Sequence, residues 1–385
     1  MKNVLFVVDE KQMGGVSVLL EDILKKINLS KYNIDIMVLH NNGSYLDNLP
    51  KSVNIIYGTP FFDVVDLSIK EVLQTKNIKK IIKKCYLVFL MKIGHIKNKI
   101  IKERRKCLTK KYDVEIAFKD GFPALFTAYG DSTKKYHWLH TDYSMYDCTA
   151  NYTKLFKTIY PKFDKIIGIS KGVVSRFLEK YPDNNCEVIY NLIDEEKIKS
   201  KSTEKNIKYD SKLNFISVGR IHNMKGYDRL VDVFKKLNDD NLLKNVKLRI
   251  VGDGPDFDLV NNKIIEYNLQ EKIELLGSKK NPFPYVKASD AFLMCSRYEP
   301  FGLVVLEAMI LNVPVISTDV ASIKEIMNDK YGIIVQNDVD GLYEGISKII
   351  KDPKQLSVYK NNLKKYKYDI NSIIDKIENL LDEVW

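Results

Sequence analysis

Two glutamates, Glu299 and Glu307, stand eight positions apart in RYEPFGLVVLEAM, residues 297–309. Glu299 precedes Pro300 and Gly302, whereas Glu307 stands among Leu303, Val304, Val305, Leu306, Ala308, Met309 and Ile310. Gly302 predicts the opening of a helix that runs to about Leu311 and holds Glu307 in its interior. A carboxylate buried there without partners is costly, so donors must reach it or it must face a cleft. A ribose offers two vicinal hydroxyls, and a carboxylate can accept both. Glu299, in the loop before the helix, can enter the same cleft. The amides of Phe301, Gly302 and Leu303 at the helix start favour an anion. Gly302 lets a ligand approach the backbone closely. The set suits a nucleotide sugar: ribose on Glu307, sugar hydroxyls on Glu299, amides near phosphate or sugar. The competing use of Glu307 is a structural bridge to a nearby Lys or Arg.

A second group of residues points the same way. SVGRIHNMKGYDRL, residues 217–230, places Arg220 and Lys225 after a strand and before a helix. Two cations at a strand's carboxyl end can hold a diphosphate, and Gly219 and Gly226 keep the loop tight. The plainer reading is a solvated basic loop. VGDGP, residues 251–255, brings Gly252 to the end of the next strand, although many strands of this class end in glycine.

The elements that would position these residues are short apolar strands alternating with amphipathic helices. VLFVV (4–8), IDIMVLH, VEIAF, YHWLH, DKIIGIS and CEVIY are strand candidates of the first half. EEKIKSKSTEKNIKYDSK, residues 195–212, resembles a linker or exposed connection. FISVG, LRIVG, IELLG, AFLMC, PVIST and YGIIV then restart the pattern as continuous apolar runs. Strands buried on both faces read this way, and their alternation with helices predicts parallel sheets. The length of 385 residues suits two domains, and 45% hydrophobic content gives each a core. Ligands of such folds sit at the carboxyl ends of strands and often between domains.

GRIHNMKG, IVGDGP and RYEPFGLVVLEAMILNVPVIST, in this order, resemble the donor half of retaining glycosyltransferases of family 4, which have the GT-B fold. The likeness is dense over about 215–335, and E-x7-E at Glu299 and Glu307 is that family's signature. It implies two Rossmann-like, doubly wound α/β domains facing a central cleft. The amino-terminal, acceptor-side domain is expected over 1–192. The nucleotide-sugar domain is expected over 193–365, with a carboxy-terminal helix, 366–385, packed back on the first. By the same resemblance Arg220 and Lys225 bind the donor diphosphate, Glu307 the ribose and Glu299 the donor sugar. Phe301 and Gly302 offer backbone contacts to the sugar. Asn312 departs from the glycine usual there, but asparagine tolerates the left-handed conformation of a helix end.

The amino half is less similar. Gly14 and Gly15 follow the first strand and precede a helix, and in the family this loop faces donor phosphate or sugar. HWLHTDYS, residues 137–144, ends a strand at His140. In relatives a histidine so placed contacts the donor sugar and affects catalysis; the generic alternative is a satisfied structural histidine. His137 reads as structural. VIYNLID (188–194) resembles the family's VIPNGVD, with Asn191 retained.

The charge is unevenly placed. From Lys76 to Lys111 there are 14 Lys and Arg against one acid, Glu103; the rest of the chain carries 61 − 14 = 47 basic and 50 − 1 = 49 acidic residues. Ile78, Ile82, Cys85, Phe89, Ile93, Ile96 and Ile100 form a helical stripe in this segment, with Gly94 interrupting it. Lys79, Lys80, Lys83, Lys84, Lys97 and Phe89 are the residues expected to face an anionic membrane; the alternative is a solvated lysine face on a packed helix. Nucleic acid is not expected, since no binding motif or stacking platform is present. The five cysteines have no CxxC spacing, which fits a reducing cytoplasm. The first apolar run reads as a strand and not as a signal peptide.

DFD (256–258) and DVD (338–340) match the short DxD of metal-dependent transferases, a spacing frequent by chance. No metal or other cofactor is expected, because Arg220, Lys225 and helix amides can stabilise the leaving diphosphate. The expected function is therefore retaining transfer of a sugar, UDP-linked by expectation, to a glycan hydroxyl. The acceptor is expected to be lipid-linked, in bacterial surface polysaccharide synthesis at the inner face of the plasma membrane. The rival readings are a non-catalytic glycosyltransferase-like subunit and a GT-B nucleotide-sugar epimerase.

Overall fold

The apolar runs of the first half assemble into one seven-stranded sheet, and those of the second half into another of six strands. The computed structural model describes residues 1–9, 15–40, 48–65, 67–144, 150–209 and 211–383. It divides into a first unit, Met1–Leu192 with Asp369–Trp385, and a second, Ile193–Tyr368.

In the first unit the strands are β1 (Lys2–Val8), β2 (Tyr32–Val38), β3 (Asn54–Tyr57), β4 (Val114–Ala117), β5 (Lys134–Leu139), β6 (Lys165–Gly168) and β7 (Cys186–Val188). All neighbours run parallel, in the order β3-β2-β1-β4-β5-β6-β7. Val4, Leu5, Phe6 and Val7 of β1 are fully buried, as expected of a central strand covered on both faces. Trp138, Tyr160, Phe118 and Phe177 supply the bulk of the aromatic packing. The short strand β3 is the one strand the apolar pattern did not announce. It lies at the sheet edge, half-buried, so its residues carry little of the core signal.

The second unit holds β8 (Leu213–Val218), β9 (Val246–Val251), β10 (Ile273–Gly277), β11 (Ala291–Met294), β12 (Val315–Thr318) and β13 (Gly332–Val335). Their order is β10-β9-β8-β11-β12-β13, again all parallel. Phe215, Leu248, Ile250 and Leu293 meet Leu230, Val233, Phe234 and Ile346 of the flanking helices in one apolar core.

The carboxy-terminal helix, Ile370–Asp382, starts at Asp369, whose side chain accepts from the Ser372 amide at 3.1 Å. It buries Ile373, Ile377, Leu380 and Leu381. Lys31 pairs with Glu378 at 2.8 Å, and Lys2 Nζ donates to the Asp382 carbonyl at 2.8 Å. These contacts tie the end of the chain to the first unit.

Three expectations change. Residues 195–212 are not simply a connection: Glu195–Lys201 is a helix that packs on the helix Leu303–Ile310. It buries only Ile198, which is why its lysine-rich sequence shows no apolar period. Asp194 caps it, accepting from the Lys197 amide at 3.1 Å. Replacing Asp194 with alanine is expected to lower the stability of the second unit by about 1 kcal/mol, measurable by urea denaturation.

The apolar stripe at 78–100 also divides. It becomes two helices, Ile78–Lys92 and Ile96–Cys107, broken where Gly94 adopts φ 75°. Ile96 and Ile100 are buried, but Ile78, Ile82, Phe89 and Ile93 point outward, while Leu87 and Leu90 turn in. The third change is Lys84, expected to face a membrane. It is buried, and its ammonium donates to the carbonyls of Val64 at 3.1 Å and Val65 at 3.3 Å. Those carbonyls end a short 3-10 turn. Lys83 is drawn inward as well, to the Pro60 carbonyl at 2.9 Å and Asp63 at 3.4 Å. Among the described residues no helix is long and apolar enough to cross a membrane.

Candidate functional site

Each sheet reverses its strand order once, between β1 and β4 and between β8 and β11. Loops leaving the carboxyl ends of such a strand pair diverge and leave a crevice. In the second unit those loops are residues 219–226 and 295–302, which carry Arg220, Lys225 and Glu299. The topology thus brings two sequence-distant motifs together. Lys225 Nζ lies 2.5 Å from a carboxylate oxygen of Glu299. Glu299 is buried to 8% exposure, while the Lys225 side chain keeps 31% of its surface in water.

The two loops are clamped by Gly226, as the sequence suggested, and by Asp228, Arg229 and Arg297, which the sequence reading passed over. Gly226 takes φ 71°, and a Cβ there would lie 2.2 Å from the Cys295 carbonyl oxygen. Arg229 donates to that same carbonyl at 3.0 and 2.7 Å. The Arg297 guanidinium grips both oxygens of Asp228 at 2.7 Å and also donates to the Asn223 carbonyl at 2.7 Å. Such two-point forks fix orientation as well as distance. The signal for them was present: Asp228 and Arg229 directly follow KGY, and Arg297 stands two residues before Glu299.

Gly219 and Gly252 serve a close approach of the β8 and β9 loops. A Cβ on Gly252 would fall 1.9 Å from the Gly219 carbonyl oxygen, so only glycine fits. Arg220 is exposed beside them and, among the described residues, forms no ion pair. It remains available to an anion.

The helix Leu303–Ile310 begins after Gly302 at φ 98° and ends before Asn312 at φ 59°. Ser322 steadies its approach by donating to the Phe301 carbonyl at 2.8 Å. Phe301 is buried and Leu303 half-buried. Glu307 is half-buried in the middle of the helix. Among the described residues no cation forms a salt bridge with it. Burial pushes its carboxyl up to about 7, opposed by the positive charge of Lys197. Lys197 comes from the helix Glu195–Lys201, whose sequence resembled a linker, so this cation was missed. Among the described residues no salt-bridge partner for Glu307 is found, and a carboxylate there can accept an incoming hydroxyl donor.

In the first unit Gly15 opens the helix Gly15–Lys26 and is exposed; Gly14 lies outside the described residues. At the reversal between β1 and β4, Lys119 pairs with Asp9 at 2.7 Å. His140 follows β5. Its ring packs on Phe118 at 4.8 Å and lies parallel to Trp138 at 6.4 Å. Its Nε2 is buried and has no hydrogen-bond partner among the described residues. Burial pushes the imidazole down to about 3; Asp120 pulls it back, while His137 and Lys119 push it further down. His140 is therefore neutral at physiological pH and keeps one donor and one acceptor nitrogen. His137 plays the structural part expected of it. It is fully buried, with Nε2 3.2 Å from Asp120, and Tyr143 donates to the same carboxylate at 2.5 Å. Burial works against the Asp120 charge, but His137 and Tyr143 hold this carboxyl below its usual range.

Of the two short aspartate pairs, the second has local uses. Asp256 precedes the helix Phe257–Glu266, Asp338 caps the helix Val339–Lys351 on the Gly341 amide at 2.7 Å, and Asp340 pairs with Lys236 at 2.6 Å. Among the described residues no group of three or more His, Cys, Asp or Glu could hold a metal ion.

Comparison with known proteins follows the same division. Residues 198–366 match the family model described as glycosyl transferases group 1. The chain is 32% identical over 215 residues to the N-acetylgalactosamine-N,N'-diacetylbacillosaminyl-diphospho-undecaprenol 4-alpha-N-acetylgalactosaminyltransferase of Campylobacter jejuni, covering 54% of this chain and 57% of that protein. It is 26% identical over 231 residues to the N-acetyl-alpha-D-glucosaminyl L-malate synthase of Bacillus anthracis, covering 58% and 60%. These matches thus span little more than half of each relative. The crystal structure of Anabaena HepE in complex with UDP and glucose superposes with a TM-score of 0.71 at 17% identity, over 99% of this chain and 100% of that one. At that identity the likeness establishes the shared GT-B fold of two Rossmann-like domains.

Proposed function

We propose that the chain is a group 1 glycosyl transferase, a reading supported by the match of residues 198–366, and that it transfers a sugar from a nucleotide-diphosphate sugar to a glycan hydroxyl. The observation that carries this is the Lys225–Glu299 pair at the β8/β11 reversal, on the loop that also carries Arg220; among the described residues neither Arg220 nor Glu307 forms a salt bridge. Arg220 and Lys225 take the donor diphosphate, Glu307 the ribose hydroxyls and Glu299 a hydroxyl of the transferred sugar. A diphosphate entering beside Arg220 would share Lys225 with Glu299. The glycines at 219, 252 and 302 let the donor lie against the backbone, with the amides around Phe301 and Leu303 near its charge. His140, being neutral, would serve a sugar as a hydrogen-bonding group and not as a cation.

The transfer is proposed to retain configuration and to need no metal. The acceptor oxygen attacks the face from which the diphosphate departs. The acceptor proton passes to the leaving phosphate oxygen, and Arg220 and Lys225 neutralise the charge that develops. Glu299, already bound to Lys225, is no nucleophile in this scheme. UDP as the carrier and a lipid-linked acceptor are supported by the names of the relatives; a place at the inner face of a bacterial membrane is part of the proposal. The Campylobacter protein acts on a diphospho-undecaprenol substrate, and the Anabaena structure holds UDP. The test is to incubate the protein with UDP-sugars and synthetic polyprenyl-diphosphate glycans. A product heavier by one sugar, with the donor's anomeric configuration by NMR, is expected. Donor turnover to an epimer without acceptor would replace the transferase reading.

Glu307 also sets a pH dependence. It must be ionised to accept two hydroxyls, so donor affinity is expected to fall as pH drops through about 7. The stability effect has the opposite sign. Folding lifts this carboxyl from 4.5 to about 7, so its contribution to stability declines as pH rises across that window. Removing the opposing charge with Lys197→Met is expected to move the donor-binding midpoint to higher pH. Titration calorimetry across neutral pH checks this; equal midpoints for the two proteins would exclude Lys197 as the controlling charge.

A further inference from the structure

The helix Ile78–Lys92 presents to solvent the face its sequence would bury. Ile78, Ile82 and Phe89 are exposed by 71%, 62% and 55%, while Leu87, Leu90 and the lysine at 84 turn inward. The preceding helix, Ile69–Gln74, adds Ile69 and Leu73, exposed by 59% and 55%. Between the two helices runs an apolar groove of about 310 Å³, floored by Val72, Ile81 and Val88. Single exposed apolar side chains are ordinary, but a continuous patch of this kind marks an interaction surface.

The charge around the patch identifies the partner. Lys79, Lys80, Lys92 and Lys97 flank it and form no ion pair among the described residues. The only acid from Lys76 to Lys111, Glu103, is buried and already shared by Lys99 at 2.8 Å and Lys106 at 2.9 Å. A second copy of this chain would set lysines against lysines in an isologous contact. An anionic bilayer supplies what both parts of the face require, hydrocarbon for the isoleucines and phenylalanine and negative headgroups for the lysines.

We infer that the face formed by the helices Ile69–Gln74 and Ile78–Lys92 docks on the surface of an anionic lipid bilayer, with Ile78, Ile82 and Phe89 entering the acyl boundary. The helix is too short and too charged to cross the bilayer and lies along it. The inference deepens the lipid-linked acceptor reading and rests on that reading for its purpose, although the face itself stands apart from the donor site. It also revises which residues take part: the helix Ile96–Cys107 sends its isoleucines inward, and Lys84 is absent from the surface.

The test is co-sedimentation of the full chain with phosphatidylcholine vesicles and with vesicles that also contain phosphatidylglycerol, at low and high salt. Ile82→Glu with Phe89→Glu is the principal variant, because both side chains are exposed and their replacement leaves the fold intact. UDP-sugar binding is measured in parallel as a readout of the separate donor site. Binding to the anionic vesicles alone, weakened by salt and reduced about tenfold or more in the variant, supports the docking face. Equal sedimentation of wild type and variant overturns it. A wild-type dimer in solution that dissociates in the variant, without vesicle binding, also overturns it and assigns the patch to self-association. A wild type that takes the donor but binds no vesicles refutes the face and spares the transferase reading. Vesicle binding by a protein that takes no donor does the reverse.

Discussion

Lys225→Ala is expected to lower kcat/KM for sugar transfer by about two to three orders of magnitude. Lys225 lies 2.5 Å from Glu299 on the loop that ends β8, at the proposed donor site. Its charge would meet the diphosphate as the glycosidic bond breaks, when a fixed cation stabilises more than it does in the ground state. The loss should therefore fall on kcat as well as on KM. The same change leaves Glu299 buried without its partner. Lys225→Ala is accordingly expected to destabilise the second unit too, and Glu299→Gln added to it should recover stability but not turnover. Steady-state kinetics and urea denaturation of the three proteins separate the two effects. Full activity in Lys225→Ala would remove this lysine from the mechanism.

Glu307→Ala should weaken donor binding by about 10- to 100-fold, the range for hydrogen bonds to a charged group. Folding stability should stay level or rise at neutral pH, because burial raises this carboxyl to about 7 and it forms no salt bridge among the described residues. A structural bridge would give the opposite pattern, unchanged binding and a less stable protein. Calorimetric donor titration and denaturation of the same two proteins therefore decide between ligand and strut.

The fold was legible because parallel strands covered on both faces are written as unbroken apolar runs. FISVG, AFLMC and PVIST needed no partner residues to be recognised, and they became β8, β11 and β12. The edge strand β3, with no fully buried residue, lacked that mark. The site was legible where its residues sit at strand ends, since the doubly wound order brings those ends together: Lys225 meets Glu299 across 74 positions of sequence. Lys197 was not, because its helix buries a single isoleucine and its sequence looks like exposed chain. The orientation of the helix Ile78–Lys92 was not legible either. Its period showed an apolar stripe, but the carbonyls of Val64 and Val65 capture Lys84 and roll that stripe outward. Periodicity reports that a helix has faces; which face is buried depends on neighbours distant in sequence.

The most direct measurement is ligand-observed NMR of the wild type and Glu307→Ala with a panel of UDP-, GDP- and ADP-sugars. One nucleotide class binding the wild type and vanishing from the variant is the expected result, with UDP-sugars as that class. A wild type that binds none of the panel, with vesicles present or absent, would contradict the donor site and leave a glycosyltransferase fold without its chemistry.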